Sequence, residues 1–556
     1  MEGVGGGVAL STGGTGAGVG GGLSGSGGSG AGATATCEGG DTVATKRVVR
    51  LSFNQVANTI ASLVAPELGA QIMEEFELVD EEHRAFPPLQ SAREGNSFTD
   101  QSWSSVDQIA QAAGDYVAAN LEAVTGCAAD PTDECALDYL TALATSAYRR
   151  PLDSDEMDRL TTLYNTEFRG AGASASEAIQ YGVYAIFQAP QFLYRTEFGA
   201  QTTVAGELTP LELASMISYF LTDDTPDKLL REAAEQGELV TEAQVGAQVD
   251  RILQTEAARN NLHGAMMSYF AYPNLENQII QDDAFTGDMR ASMYREAEMF
   301  LDDVLWSQPV EALLTSSTAY MNETLAGIYG VTEFPPLGAT PVEDSFYAVE
   351  LPDNRTGLLT QAGFLANRSR PDHTSVVGRG LLIKNAFLCI ETASPPDAVL
   401  DAISTLETEH PDATERELAE LRMDTPLCGN CHLSIDPFGL ALDTFDVLGR
   451  YREVDAEGRA IDPSVTLPKE VGGGDAQNIV EVAQTLATSG AFEKCMGQNL
   501  VNYALADVSA GAATIDSCAV ARVAEAFEAT DGTFPSLVKT VVLSAVFRQR
   551  TLGVAQ

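Results

Sequence analysis

Cys428-Gly429-Asn430-Cys431-His432 sets two thiols and an imidazole within five residues. C-x-x-C-H is the attachment pattern of c-type haem: the two thiols form thioethers to the vinyl groups, and the adjacent imidazole reaches the iron. With 8 Cys and 5 His in 556 residues, random composition would produce this pentapeptide roughly once in a thousand such chains. The motif is therefore a strong signal. Other chemistries compete with it. A structural zinc half-site needs two further ligands, and the sequence holds no second C-x-x-C. A redox dithiol would be expected in a βαβ context, which the sequence lacks. A plain disulfide beside an incidental histidine stands as the next reading after haem.

His432 is the candidate fifth ligand of the iron. A sixth ligand would favour electron transfer, whereas an open position would allow small-molecule chemistry. The candidates for that position are Met496, the only methionine after the motif, together with Met423, His373 and His410. Each also reads as an ordinary core or surface residue. After the motif come Asp436-Pro437-Phe438-Gly439, Leu442, Phe445 and Gly449-Arg450-Tyr451-Arg452. The apolar members could wall a haem edge, and Arg450 and Arg452 could pair with propionates. For the two arginines an ordinary surface ion pair is nearly as good a reading. The sequence has no Walker loop, G-x-S-x-G elbow, H-E-x-x-H or dinucleotide fingerprint, so no catalytic residue is assigned. Asp223-Asp224, Asp282-Asp283 and Asp302-Asp303 read as solvated helix faces rather than calcium ligands, since no glycine-spaced loop surrounds them.

The elements that must position this motif are mostly helical. Phe53, Val56, Ala57, Ile60, Leu63 and Val64 recur at helical spacing behind Ser52, with Gln55 closing a capping box. Thr209-Pro210-Leu211-Glu212 is a second helix start, followed by Leu213, Met216, Ile217, Phe220 and Leu221 as one apolar face. Thr225-Pro226 opens another helix. The stripe Met293, Ala297, Phe300, Leu301, Val304 and Leu305 reads as core. Ala171 to Ser176, Phe334-Pro335-Pro336 and Ser394-Pro395-Pro396-Asp397 mark boundaries, and Gly472-Gly473-Gly474-Asp475 reads as a hinge. The expected fold is mostly α: several packed helical modules with few short strands, preceded by a disordered Gly-rich tether.

Composition narrows the function further. The formal charge of −47 and the pI near 4.2 exclude nucleic acid and a basic membrane-surface patch as partners. No run of about 18 apolar residues predicts a transmembrane helix. Of the 50 glycines, 18 fall in the first 40 residues, so Met1 to about Thr36 reads as a flexible tether. No signal peptide is visible ahead of it. Such a tether often follows an export signal or a lipid anchor, which leaves open a trimmed start.

These residues resemble a family: the large exported cytochrome-like proteins built from the domains of unknown function 1587, 1595, 1592, 1588 and 1585. Arg50-Leu51-Ser52 with Asn58-Thr59 and Leu63 is similar to the opening module. Ala147-Tyr148-Arg149-Arg150-Pro151-Leu152 and Pro190-Gln191-Phe192-Leu193-Tyr194-Arg195 resemble the ends of the second. Ser218-Tyr219-Phe220-Leu221 through Pro226-Asp227, with Asn322, Leu325-Ala326 and Tyr329-Gly330, resemble the third. Arg355-Thr356-Gly357-Leu358-Leu359, Thr374-Ser375, Arg379-Gly380 and the haem motif with its sequel resemble the fourth. Cys495, Tyr503 and Ser544-Ala545-Val546-Phe547-Arg548 fit the last. The chain departs from the pattern in three places. Ala506-Asp507 replaces Gly-Arg, Arg422 stands where relatives often carry histidine, and the proline run at Pro395-Pro396 is short. The resemblance implies a tether over 1–40 and modules over 41–126, 127–200, 201–335, 336–466 and 467–556. It speaks to architecture more than to mechanism.

Six cysteines remain beyond the motif, an even number suited to an oxidising compartment. Cys127–Cys135 and Cys495–Cys518 are the expected disulfides, leaving Cys37 and Cys389 to pair or stay free. The resulting expectation is a periplasmic or surface protein with one covalent haem c, transferring electrons with an unidentified redox protein or small-molecule substrate. A haem-dependent oxidase or peroxidase is the rival, and a structural protein binding a polymer or protein partner is the third class.

Overall fold

The computed structural model describes residues 47–76, 100–199, 206–390, 392, 395–505 and 517–550. The Gly-rich stretch 1–40, Cys37, Ser394 and Ala506-Asp507 lie outside the described residues.

Strand β1 (Arg47–Arg50) runs into helix α1 (Phe53–Leu63). The Ser52 hydroxyl accepts from the Gln55 amide while the Gln55 side chain accepts from the Ser52 amide, so the expected capping box forms. Helices α2 (Asp100–Ala119), α3 (Asp133–Ala147) and α4 (Ala175–Gln188) complete a first core, with α4 packed on both α2 and α3. Ala171 to Ser176 is a largely exposed corner between two elements of this same core, and Ser174 there caps α4. Strand β2 (Tyr194–Glu197) pairs antiparallel with β1, placing Arg47 opposite Glu197.

A second hydrophobic core extends from Leu208 to Phe547 and is shared by the segments 201–335, 336–466 and 467–556. Strand β3 (Gly206–Glu207) precedes α5 (Pro210–Thr222), which starts at the expected Thr209/Glu212 capping box. The sequence suggested one apolar face for α5, yet every residue from Leu213 to Leu221 is buried. The helix lies between the cores: Tyr219 joins the first, while Leu213, Ile217 and Phe220 join the second. The next helix begins at Lys228, because the Asp227 side chain accepts from the Leu230 amide and caps it there. Helix α6 (Gly287–Ser307) buries the Met293-to-Leu305 stripe as core.

Strands β4 (Thr318–Met321) and β5 (Tyr347–Glu350) form a two-stranded antiparallel sheet. Then come α7 (Val376–Leu388), α8 (Asp397–Glu409), α9 (Glu415–Asp424), α10 (Pro426–His432) and α11 (Asp436–Leu440). Gly472, Gly473 and Gly474 have φ of 99°, 68° and 93°. They turn the hairpin between β6 (Val465–Thr466) and β7 (Asp475–Ala476), where Leu467 N–H donates to the Gly474 carbonyl. The expected hinge is thus a turn that only glycine adopts without strain. Helix α12 (Ala491–Leu505) packs on α7, and β8 (Gln549–Arg550) returns to pair with β3. Among the described residues, no helix is long and apolar enough to cross a membrane.

Cys127–Cys135 is a disulfide, as expected. The pairing expected for Cys495 with Cys518 is not made: Cys495 bonds Cys389, 106 residues earlier. Cys389 ends α7 in the left-handed region (φ 53°), and the packing of α7 on α12 brings it to Cys495. Cys518 is also disulfide-bonded. The Asp223-Asp224 pair is not a solvated helix face either. Asp223 is buried and accepts from Gln55 Nε2 (2.9 Å), and Asp224 accepts from Ser62, so the pair joins α5 to α1.

Candidate haem-attachment site

Thr414 and Glu417 start α9 with a capping box, and Thr425 ends α9 and begins α10 with Pro426 in its first turn. Helix α10 carries the whole motif. A Cβ at Gly429 would lie 2.4 Å from the Met423 carbonyl oxygen, so glycine lets the end of α9 press directly on α10. Cys428 and Cys431, three residues apart, fall on neighbouring positions of one helix face. Both are free thiols, Cys428 buried and Cys431 exposed, whereas Cys127, Cys135, Cys389, Cys495 and Cys518 are in disulfides. Burial pushes the Cys428 thiol up, with Arg422 pulling the other way. A reactive redox dithiol needs the opposite shift.

His432 is buried, and its Nδ1 lies 2.8 Å from Asp436 Oδ1. Asp436 is fully buried, and its other oxygen accepts from Arg422 Nε at 3.0 Å. A carboxylate held by arginine is an acceptor, so His432 Nδ1 is the donor, and in the neutral ring Nε2 carries the lone pair. Nε2 has no hydrogen-bond partner among the described residues. Arg422 Nη2 is a buried donor likewise without a partner there. Leu427 and Leu433, on either side of the motif, are more than half exposed, and Cys431 between them is exposed.

Two glycine contacts hold α11, and with it Asp436, against α7. A Cβ at Gly439 would fall 1.9 Å from the Val376 carbonyl oxygen, and one at Gly380 would fall 2.2 Å from that of Ile435. Arg379, buried in α7, donates to the carbonyls of Leu442 (3.0 Å), Phe445 (2.7 Å) and Asp446 (2.6 Å), fixing the chain that leaves α11. Lys384 Nζ donates to Ser434 Oγ at 2.9 Å.

Arg450 bonds Asp446 and Asp282, both at 2.9 Å, and Arg452 bonds Asp443 at 3.1 Å. Both guanidinium groups are thus engaged by protein carboxylates, which is the ion-pair alternative. Leu442 and Phe445 are fully buried in the second core. Met496 is buried in that core on α12, and Met423 packs partly buried against it. His373 is exposed and bonded to Asp372, and exposed His410 lines a shallow hollow of about 570 Å³ with Leu421 and Asp424. None of these four side chains is hydrogen-bonded to α10 among the described residues. Sequence reasoning missed Asp436 and Arg422 as partners of His432. The signal for Asp436 was its position four residues on, one helical turn away. Arg422 stood out only as a departure from a family pattern.

Four families, each described as a protein of unknown function, match the chain: DUF1595 over residues 135–197, DUF1592 over 208–331, DUF1588 over 355–455 and DUF1585 over 472–547. The DUF1588 match contains α10 and Asp436. No curated protein and no solved structure matches the chain.

Proposed function

This chain belongs to the cytochrome-like multi-domain family built from the DUF1595, DUF1592, DUF1588 and DUF1585 modules, and on that premise we propose that it is an exported c-type haem protein that transfers electrons. One observation carries the reading. In a protein whose other described cysteines are all in disulfides, Cys428 and Cys431 are free, three residues apart and next to a histidine whose Nε2 is unbonded.

The residues fit the group. Cys428 and Cys431 would hold the haem through thioethers, and His432 Nε2 would ligate its iron. Arg422 Nη2 is a donor suited to an anionic substituent. Covalent haem supplies one-electron exchange. The chain's own part is to fix the ring: Asp436 sets the tautomer of His432, and α11 is pinned to α7 so that the ring keeps its direction. The disulfides support an oxidising compartment, periplasmic or at the cell surface. A second reading, small-molecule oxidation chemistry at an open iron position, draws on the Asp436–His432 bond, because a carboxylate on the proximal ring makes it a stronger donor.

Expression with a c-type maturation system in an exported context tests the proposal. The haem is expected to survive denaturation and acid–acetone extraction and to add its mass to the chain. Replacing both Cys428 and Cys431 with Ser is expected to abolish that retention. His432→Ala is expected to change the spin state or block maturation. A low-spin six-coordinate spectrum supports electron transfer, and a high-spin one the second reading. Mature protein of intact mass with no haem refutes both.

A further inference from the structure

Arg422, Asp436 and His432 form a buried chain of contacts: guanidinium to carboxylate at 3.0 Å, carboxylate to imidazole at 2.8 Å. All three residues are at most 5% exposed. Arginine and histidine take opposite oxygens of one carboxylate, so whatever pulls charge toward one oxygen removes it from the other. We propose that Asp436 and Arg422 are positioning residues that set the reduction potential of the iron bound at His432: Asp436 lowers it, and Arg422, acting through Asp436, restrains that lowering. The inference rests on the haem reading above and deepens it.

A hydrogen bond from Nδ1 to a carboxylate increases electron donation by the ring, which favours ferric over ferrous iron. That effect depends on how much negative charge resides on Oδ1. Arg422 Nε bonded to Oδ2 draws charge away from Oδ1 in a site with little water, where such polarisation is strong. Arg422 Nη2 has no hydrogen-bond partner among the described residues, and the nearby Glu415 carboxyl feels the Arg422 charge without bonding to it, so Asp436 is the carboxylate this guanidinium bonds there. At Arg450 and Arg452 the carboxylates contact no histidine, so those pairs have no equivalent effect.

A charge near the haem also shifts the potential directly through space, and a double-mutant cycle separates the two routes. Spectroelectrochemical titration of the purified haem-loaded full chain would compare wild type, D436N, R422Q and R422Q/D436N. D436N is expected to raise the potential by an amount equivalent to about tenfold in the redox equilibrium constant, ~59 mV for one electron. R422Q is expected to lower it. The double variant is expected to stay above wild type, with R422Q shifting the potential less in the D436N background than in wild type, because only the direct effect of the Arg422 charge then remains. Additive shifts overturn the relay, and an unchanged potential in D436N overturns the role of Asp436. Should D436N alone fail to accumulate, R422Q and the double variant still decide. The relay places them on opposite sides of wild type, and a double variant at or below wild type refutes it. Absence of haem from all four proteins refutes the underlying reading instead, so the two failures are distinguishable.

Discussion

Glu197 and Asp436 are both fully buried carboxylates, but among the described residues the first bonds three guanidinium groups and the second one. Glu197 bonds Arg47 (2.8 Å), Arg195 (3.1 Å) and Arg550 (2.5 Å), which stand on β1, β2 and β8. Burial by itself would raise its pKa, but Arg47, Arg550 and Arg195 outweigh burial and hold the carboxyl below its usual range. Every contact is internal, and the group ties together residues as far apart as 47 and 550. Asp436 divides its oxygens between Arg422 and His432, and the ring it orients keeps its far nitrogen unbonded. A third buried carboxylate extends the series. Glu296 has no arginine bonded to it; the Tyr329 hydroxyl donates to Oε1 at 2.5 Å, and Oε2 has no partner among the described residues. Desolvation pushes it up to about 8, against the opposing pull of Tyr329 and Arg355. A carboxylate saturated by arginines is a clasp, whereas one shared between arginine and imidazole can orient a ligand.

The largest expected effect breaks the clasp. Glu197→Gln leaves the buried guanidinium groups of Arg195 and Arg550, and the half-buried one of Arg47, short of their counter-charge and should lower the unfolding free energy by about 3–5 kcal/mol. Chemical denaturation measures this, and the haem spectrum of the surviving folded protein should not change. D436N should show the reverse balance, with a smaller stability loss and a changed potential. Acid sharpens the same point. Because the folded value of Glu197 is depressed, its stabilisation is complete above the unfolded value of about 4.3 and is lost as pH falls from there toward the folded value.

Next in size is the support beneath Asp436. Gly439→Ala drives a methyl against the Val376 carbonyl, so α11 must move off α7, at about 2–3 kcal/mol. The same variant should disturb the His432 spectrum although it touches neither thiol. An unchanged spectrum with lost stability would separate the packing of α11 from the orientation of the ring.

The smallest effect concerns Glu296. Its folded value is raised, so the folded state favours the protonated acid: stability is full below about pH 4.3 and declines as pH rises toward 8. Glu296→Gln cannot ionise and should escape that decline. Unfolding free energies of variant and wild type should nearly coincide at pH 5 and diverge steadily in the variant's favour as pH rises to 8. A constant difference across that range would mean that Glu296 stays ionised in the fold.

Much of this protein was determined by the sequence itself wherever the interaction spans a few residues. The Ser52/Gln55 and Thr209/Glu212 boxes, the short Cys127–Cys135 loop, the Met293-to-Leu305 core stripe and the thiol–thiol–imidazole spacing all act within a turn or two of one element. The family pattern around residues 355–455 was legible for the same reason, being carried by short runs. Tertiary structure decided the rest. Cys495 found Cys389 rather than Cys518 because α7 packs on α12, and α5 lost its polar face because a core closed on each side of it. Asp223 became a buried joint, and the three glycines after Val471 became a hairpin turn, through contacts with segments that the local pattern does not register. Arg422 is the sharpest case. Its partner lies only 14 residues away, yet the contact depends on α9, α10 and α11 folding back on one another against α7. Periodicity and capping report what a residue does to its own helix, but a buried charge takes its role from whichever groups the packed fold places on its two sides.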